Sequence, residues 1–102
     1  MNHFTDKPGY NGIGSQVTWH FVASRPPGNH PKGAYFTTLN SSEPNLAEKL
    51  RISREKIAFV FQFQDAGDLQ SLRGGRGRYI FYSEEDYEVE QERQQFKGAT
   101  GL

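Results

Sequence analysis

Two short segments hold residue types suited to gripping a flat ring joined to a sugar. They are His3-Phe4-Thr5 and, about thirty residues on, Gly33-Ala34-Tyr35-Phe36-Thr37. A histidine has two ring nitrogens that donate and accept in fixed directions, which suits a sugar hydroxyl. A tyrosine is flat, rigid and amphipathic, which suits a stacked heteroaromatic ring. Breaking the bond between such a ring and its sugar also needs a carboxylate near the positive charge that develops on the sugar. The candidates are Asp86, in Glu84-Glu85-Asp86-Tyr87, and Asp65; Glu88 and Glu90 are further options. Taken singly, each residue has a plainer reading. A histidine near a chain end is usually surface, a tyrosine is more often core, and Glu84 to Glu92 reads as a solvated acidic face. The argument rests on the pairing and its order.

Those residues must be placed by short elements. Residues 1–6 read as a strand, broken by Lys7-Pro8-Gly9-Tyr10-Asn11-Gly12, where Pro-Gly and Asn-Gly are turn signals. Ile13 to Ser15 suits one helical turn. Residues 17–22 are β-branched and aromatic and read as a strand. The prolines of residues 25–33 place a loop there. A strand follows over 34–39, a turn over 40–44, and one short helix over 45–51. In that helix Asn45 and Glu48 fit a capping pattern, and Leu46 and Leu50 share a face. Residues 57–64 give the clearest strand, with Phe59, Phe61 and Phe63 alternating with Ala58, Val60 and Gln62. Residues 69–72 suit a short strand or turn and 73–77 a flexible loop. Strands are expected at 79–82 and, as a polar edge, at 89–96.

Composition narrows the class. The chain has 102 residues, enough for one domain. Eight Phe, five Tyr and one Trp let so short a chain bury a core, and they favour strands. The fold class expected is α+β: a β-rich, split-sheet domain over residues 1–102 with one or two short helices. The formal net charge is 0, so no global field draws in a polyanion. There is no cysteine, which excludes disulfide frameworks, thiolate catalysis and cysteine-based zinc sites. No apolar stretch approaches the roughly 20 residues of a membrane span, and no signal peptide opens the chain. The chain is expected to be soluble, with no membrane partner. No His-Glu-x-x-His pattern, phosphate loop, dinucleotide fingerprint or nucleophile elbow is present, so no metal is expected.

The two opening segments resemble the His and Tyr motifs of the diphtheria-toxin-like ADP-ribosyltransferase superfamily, most closely its small His-Tyr-Asp toxin subgroup. The identifiable motifs cover only residues 3–5 and 33–37. The resemblance implies an NAD-binding split sheet that cleaves the nicotinamide–ribose bond and transfers ADP-ribose to a protein or nucleic acid. It implies a site in which His3, helped by Thr5, holds the adenosine-side ribose and Tyr35 packs against nicotinamide. Gly33 would allow close backbone approach. The resemblance further implies action in a cytoplasm, delivery within a larger toxin, and a cognate immunity protein as partner. The match thins at the third motif. Many relatives place a Glu just before a Tyr-Ile-like strand, where this chain has Arg78 before Tyr79-Ile80-Phe81-Tyr82. Asp86, then Asp65, are the acids to consider. A second stacking aromatic is missing from 45–51, leaving Phe36 or Tyr10 to substitute.

Arg73-Gly74-Gly75-Arg76-Gly77-Arg78 has its own readings. It suits a solvated hairpin loop, an RNA-tracking cluster, or a grip on the NAD pyrophosphate through Arg76 or Arg78. The alternatives to the transferase are an NAD glycohydrolase and a non-catalytic module binding NAD, ADP-ribose or RNA.

Overall fold

A computed structural model describes every residue except Pro27 and Asn29. Those two lie in the loop expected over 25–33, so that part of the expectation falls outside the described residues. Among the described residues eight strands form: β1 (Asn2–Thr5), β2 (Trp19–Phe21), β3 (Ala34–Thr37), β4 (Phe59–Phe63), β5 (Gln70–Ser71), β6 (Ile80–Ser83), β7 (Tyr87–Val89) and β8 (Gln94–Ala99). Two helices, α1 (Lys7–Gly14) and α2 (Leu46–Leu50), complete a β-rich α+β domain.

The main sheet has six strands in the order β5-β6-β3-β1-β4-β8, and β2 pairs with β7 in a separate two-stranded sheet. All pairings are antiparallel. The main sheet is split at its centre. β1 pairs with β4 over four residues and β3 with β6 over four, but β1 and β3 share one registered pair, Asn2↔Thr37. Side chains of β1 supply what the ladder lacks. Asn2 Nδ2 donates to the Leu39 carbonyl at 2.7 Å, and His3 Nδ1 meets the Tyr35 carbonyl at 2.9 Å.

The Phe alternation in β4 lays down the core. Phe61 and Phe63 are fully buried and pack with Trp19, Phe21, Phe36, Tyr87 and Val89. Thus the β2–β7 sheet covers one face of the main sheet across its split. Val60, on the other side of β4, packs with Phe4, Leu46, Ala47 and Ile57 under α2.

Several elements differ from expectation. Residues 7–14 form a helix despite Pro8, Gly9 and Gly12. Asp6 caps it by accepting from the Gly9 amide at 2.9 Å, and Pro8 sits in its first turn, where no N–H is needed. Tyr10 then stacks on Phe59 with ring centres 4.6 Å apart. The cap expected at Asn45 is not made: Asn45 has φ 56° and its side chain caps nothing. Residues 75–78 form a 3₁₀ turn in place of a flexible loop. The single strand expected over 89–96 is two strands, β7 and β8, joined by a 3₁₀ turn at 91–93.

Candidate functional site

His3 lies half-buried where β1 and β3 part. Its ring packs on Phe21 at 4.7 Å and Phe36 at 5.6 Å. A carbonyl only accepts, so the contact with Tyr35 O places the ring proton on Nδ1. Nε2 is then an acceptor lone pair with no partner among the described residues, and it is not a buried orphan. Burial lowers the His3 pKa; the Tyr35 carbonyl opposes that shift, and Lys56 adds to it. The result is a neutral imidazole, held in one tautomer, whose second nitrogen has no partner among the described residues.

Tyr35 is one strand away, but its ring is not beside that of His3. Alternation along β3 sends Phe36 to the His3 side and Tyr35 to the other. The Tyr35 ring stacks on Tyr82 at 5.5 Å and 17°, and its hydroxyl donates to the Pro31 carbonyl. Burial and the neighbouring Tyr82 raise its pKa. The split therefore has an imidazole on one side and a phenol on the other.

The remaining candidates are dispersed. The Thr5 hydroxyl lies against Gly9, in the space a Cβ there would fill. Gly33 does make a close backbone approach, but to β6: an added Cβ would lie 2.6 Å from the Ser83 carbonyl. Phe36 is 2% exposed and sits in the aromatic core, so it offers no platform to a ligand. Tyr10 is already stacked on Phe59. Arg78 is exposed and donates within its own turn, to Gly75 O at 3.2 Å.

Both preferred acids are engaged. Asp86 accepts from the Ala23 amide at 2.8 Å and contacts His20 Nε2 at 2.9 Å. These bonds, the amide first, lower its pKa and keep it ionised. It ties the turn between β6 and β7 to the end of β2. Asp65 accepts from the Gly67 amide at 2.9 Å, just past β4. Glu88 stands opposite His20 in the β2–β7 ladder, and Glu90 is exposed.

Sequence reasoning passed over two polar groups. Asn2 is buried at the split and nothing in its local pattern marks it. The Tyr87 hydroxyl donates to Asp68 Oδ1 at 2.6 Å and accepts from Arg93 Nη2 at 2.7 Å. Arg76, one of the two arginines read as a grip on pyrophosphate, contacts His30 Nε2 at 3.2 Å.

Two surface depressions of about 300 Å³ lie elsewhere, one beside Leu46, Ala47 and Leu102, the other beside Val17 and Glu90. Among the described residues no group of three His, Asp or Glu is placed to hold a metal. No helix among them is long and apolar enough to cross a membrane. Comparison with protein-family models, curated proteins and solved structures finds no match in any of the three.

Proposed function

We propose that this chain cleaves the nicotinamide–ribose bond of NAD and passes ADP-ribose to a macromolecular acceptor. The observation that carries the reading is His3: one imidazole, neutral and fixed as the Nδ1–H tautomer, with Nε2 unpartnered among the described residues at the split between β1 and β3. An acceptor of that kind takes a hydrogen bond from a ribose hydroxyl. The likeness of residues 3–5 and 33–37 to the His and Tyr motifs of ADP-ribosyltransferases supports the same role.

His3 and the Tyr35 ring lie on opposite faces of the sheet, so this reading has the dinucleotide pass around the edge of the split, with His3 at its adenosine end. The open face of the Tyr35 ring receives nicotinamide at the other. The glycosidic C–N bond breaks, its electron pair leaving with nicotinamide. The sugar carbon, briefly cationic, bonds to a nucleophile of the acceptor, which loses a proton. Asp86, ionised and accessible, is the carboxylate assigned to that cation.

The test is nicotinamide release from NAD by the purified chain. His3→Ala is expected to lower it roughly tenfold to hundredfold, the loss of one well-placed hydrogen bond. Release that His3→Ala leaves unchanged overturns the assignment. Label from the ADP-ribose half that stays on a macromolecule marks transfer, and label found only in free ADP-ribose marks a glycohydrolase. A second reading, binding without turnover, is favoured by one observation: Asp86 and Asp65 both spend a carboxylate oxygen on a backbone amide. NAD binding with no release would establish it.

A further inference from the structure

One guanidinium is left short of partners. Arg76 is half-buried in the turn before β6. Its Nη1 contacts His30 Nε2 and its Nη2 donates to the Lys49 carbonyl, both at 3.2 Å. Its Nε is buried with no partner among the described residues. A buried N–H without an acceptor is costly and calls for an explanation. Arginine only donates, so the His30 contact uses the imidazole lone pair.

Arg76 is also fixed in place. An added Cβ on its neighbour Gly77 would overlap the Leu72 carbonyl, so the turn is packed tightly on the chain leading into it. Through Arg76 this turn meets the loop before β3 and the C-terminal end of α2. The charges on these segments are mostly positive. Arg73 and Arg78 flank Arg76, Lys32 is two residues past His30, and the Lys49 ammonium is paired with Glu43 at 2.7 Å. In a chain of net charge 0, that is a local surplus. The loop joins it to the phenol already described, because Tyr35 donates to the carbonyl of Pro31, next to His30.

We propose that Arg76 and His30 form a phosphate site that receives a pyrophosphate group. The proposal deepens the NAD reading by naming where the diphosphate would sit. The anion accepts from Arg76 Nε and from one terminal nitrogen, the side-on bidentate geometry that guanidinium offers. His30, released from Arg76, turns an N–H toward the same anion. The buried Nε is thereby satisfied.

The probe is inorganic pyrophosphate, titrated at low salt into the full chain. Wild type is expected to bind one equivalent and to shift the Arg76 Nε–H resonance. Arg76→Gln should weaken binding roughly tenfold or more, as expected for a lost charge-assisted hydrogen bond. His30→Gln should weaken it less, and the exposed Lys7→Gln should not. Arg76→Lys keeps the charge without the fork, so it should bind weakly even if Arg76→Gln fails to fold. No pyrophosphate binding by wild type overturns the proposal, as does an unmoved Nε resonance or Arg76→Lys binding as tightly as wild type. So does single-stranded RNA binding through Arg73, Arg76 and Arg78 without pyrophosphate binding. Nicotinamide release is scored separately. Pyrophosphate binding without release defeats the NAD reading and leaves this site standing; release without pyrophosphate binding does the reverse.

Discussion

The two faces of the main sheet are filled in different ways. One is aromatic: Phe61 and Phe63, fully buried, meet Trp19, Phe21, Phe36 and Tyr87 edge-on or tilted. The other is largely aliphatic, with Leu46, Ala47, Ile57 and Val60 around Phe4. The aromatic face admits polar groups into its layer, namely the His3 ring and the Tyr87 hydroxyl. The other face buries Asn2 and Thr37 beside its aliphatic cluster. Rings with polar edges can border a hydrogen-bonding group without leaving a void, whereas aliphatic packing gives a buried donor nothing to bond. Asn2 therefore turns to a backbone carbonyl, that of Leu39, and polar groups reach the split from both faces, His3 from the aromatic side and Asn2 from the other.

The largest test of that contrast is truncation of each layer. Phe61→Ala is expected to cost about 3–5 kcal/mol, because Phe61 is fully buried and touches the rings of Tyr10 in α1 and of Trp19 and Phe21 in β2. Leu46→Ala, at the first position of a five-residue helix that covers the other layer, should cost nearer 2 kcal/mol. Urea denaturation measures both, and equal losses would remove the distinction between the faces.

Hydroxyl deletion sharpens it. Tyr87→Phe strips a partner from both Asp68 and Arg93 and should cost about 1 kcal/mol, since exposed Asp68 can rehydrate. Tyr82→Phe on the opposite face gives up a bond to Gln70 of 3.4 Å, too long to count for much, and should stay within about 0.5 kcal/mol. The same denaturation curves decide it; a larger loss for Tyr82→Phe would reverse the assignment.

His3 gives the next effect, and it appears in acid. Burial lowers its pKa below the ordinary 6.5, so the folded ring holds a proton less tightly than the unfolded one. Just below 6.5 the unfolded chain binds more protons, and stability falls as pH falls through that window. His3→Gln should flatten that part of the stability–pH curve relative to wild type. Nicotinamide release should fade at lower pH, through the lowered pKa of the folded ring, because protonation removes the Nε2 acceptor. A curve as steep in His3→Gln as in wild type would assign the pH dependence to other groups.

Local patterns in the chain reveal only part of this arrangement. The Phe59, Phe61, Phe63 alternation identifies β4 and its buried face, because period two is a local property. The adjacency of the His3 and Tyr35 strands is also readable. The opposite orientation of their rings is not, since it depends on strand register at a split held by Asn2 and His3 side chains. α1 is hidden for a related reason. Its Pro-Gly and Asn-Gly pairs signal turns, and what overrides them is Tyr10 stacking on Phe59, a contact far along the chain. At Asn45 the capping pattern is present, but the residue is left-handed and its side chain caps nothing. The engagement of Asp86 with the Ala23 amide joins two strands that no spacing rule connects.

That last bond supplies the smallest test, and it separates a structural acid from a chemical one. Asp86 is fully exposed to solvent screening, so its bonds to Ala23 and His20 add little to global stability. They should act locally, by closing the end of the β2–β7 ladder. Asp86→Asn keeps one acceptor oxygen and loses the charge. Its expected signature is faster hydrogen exchange at the Ala23 amide, with exchange in the middle of β2 unchanged. The lowered Asp86 pKa implies the same loosening in wild type as pH falls through the carboxylate range, because protonation weakens acceptance from Ala23. If Asp86→Asn leaves Ala23 exchange as it was but abolishes nicotinamide release, the carboxylate acts on the ligand. If exchange quickens and release persists, Asp86 is a clasp for the small sheet, and the acid that faces the sugar must be sought at Asp65.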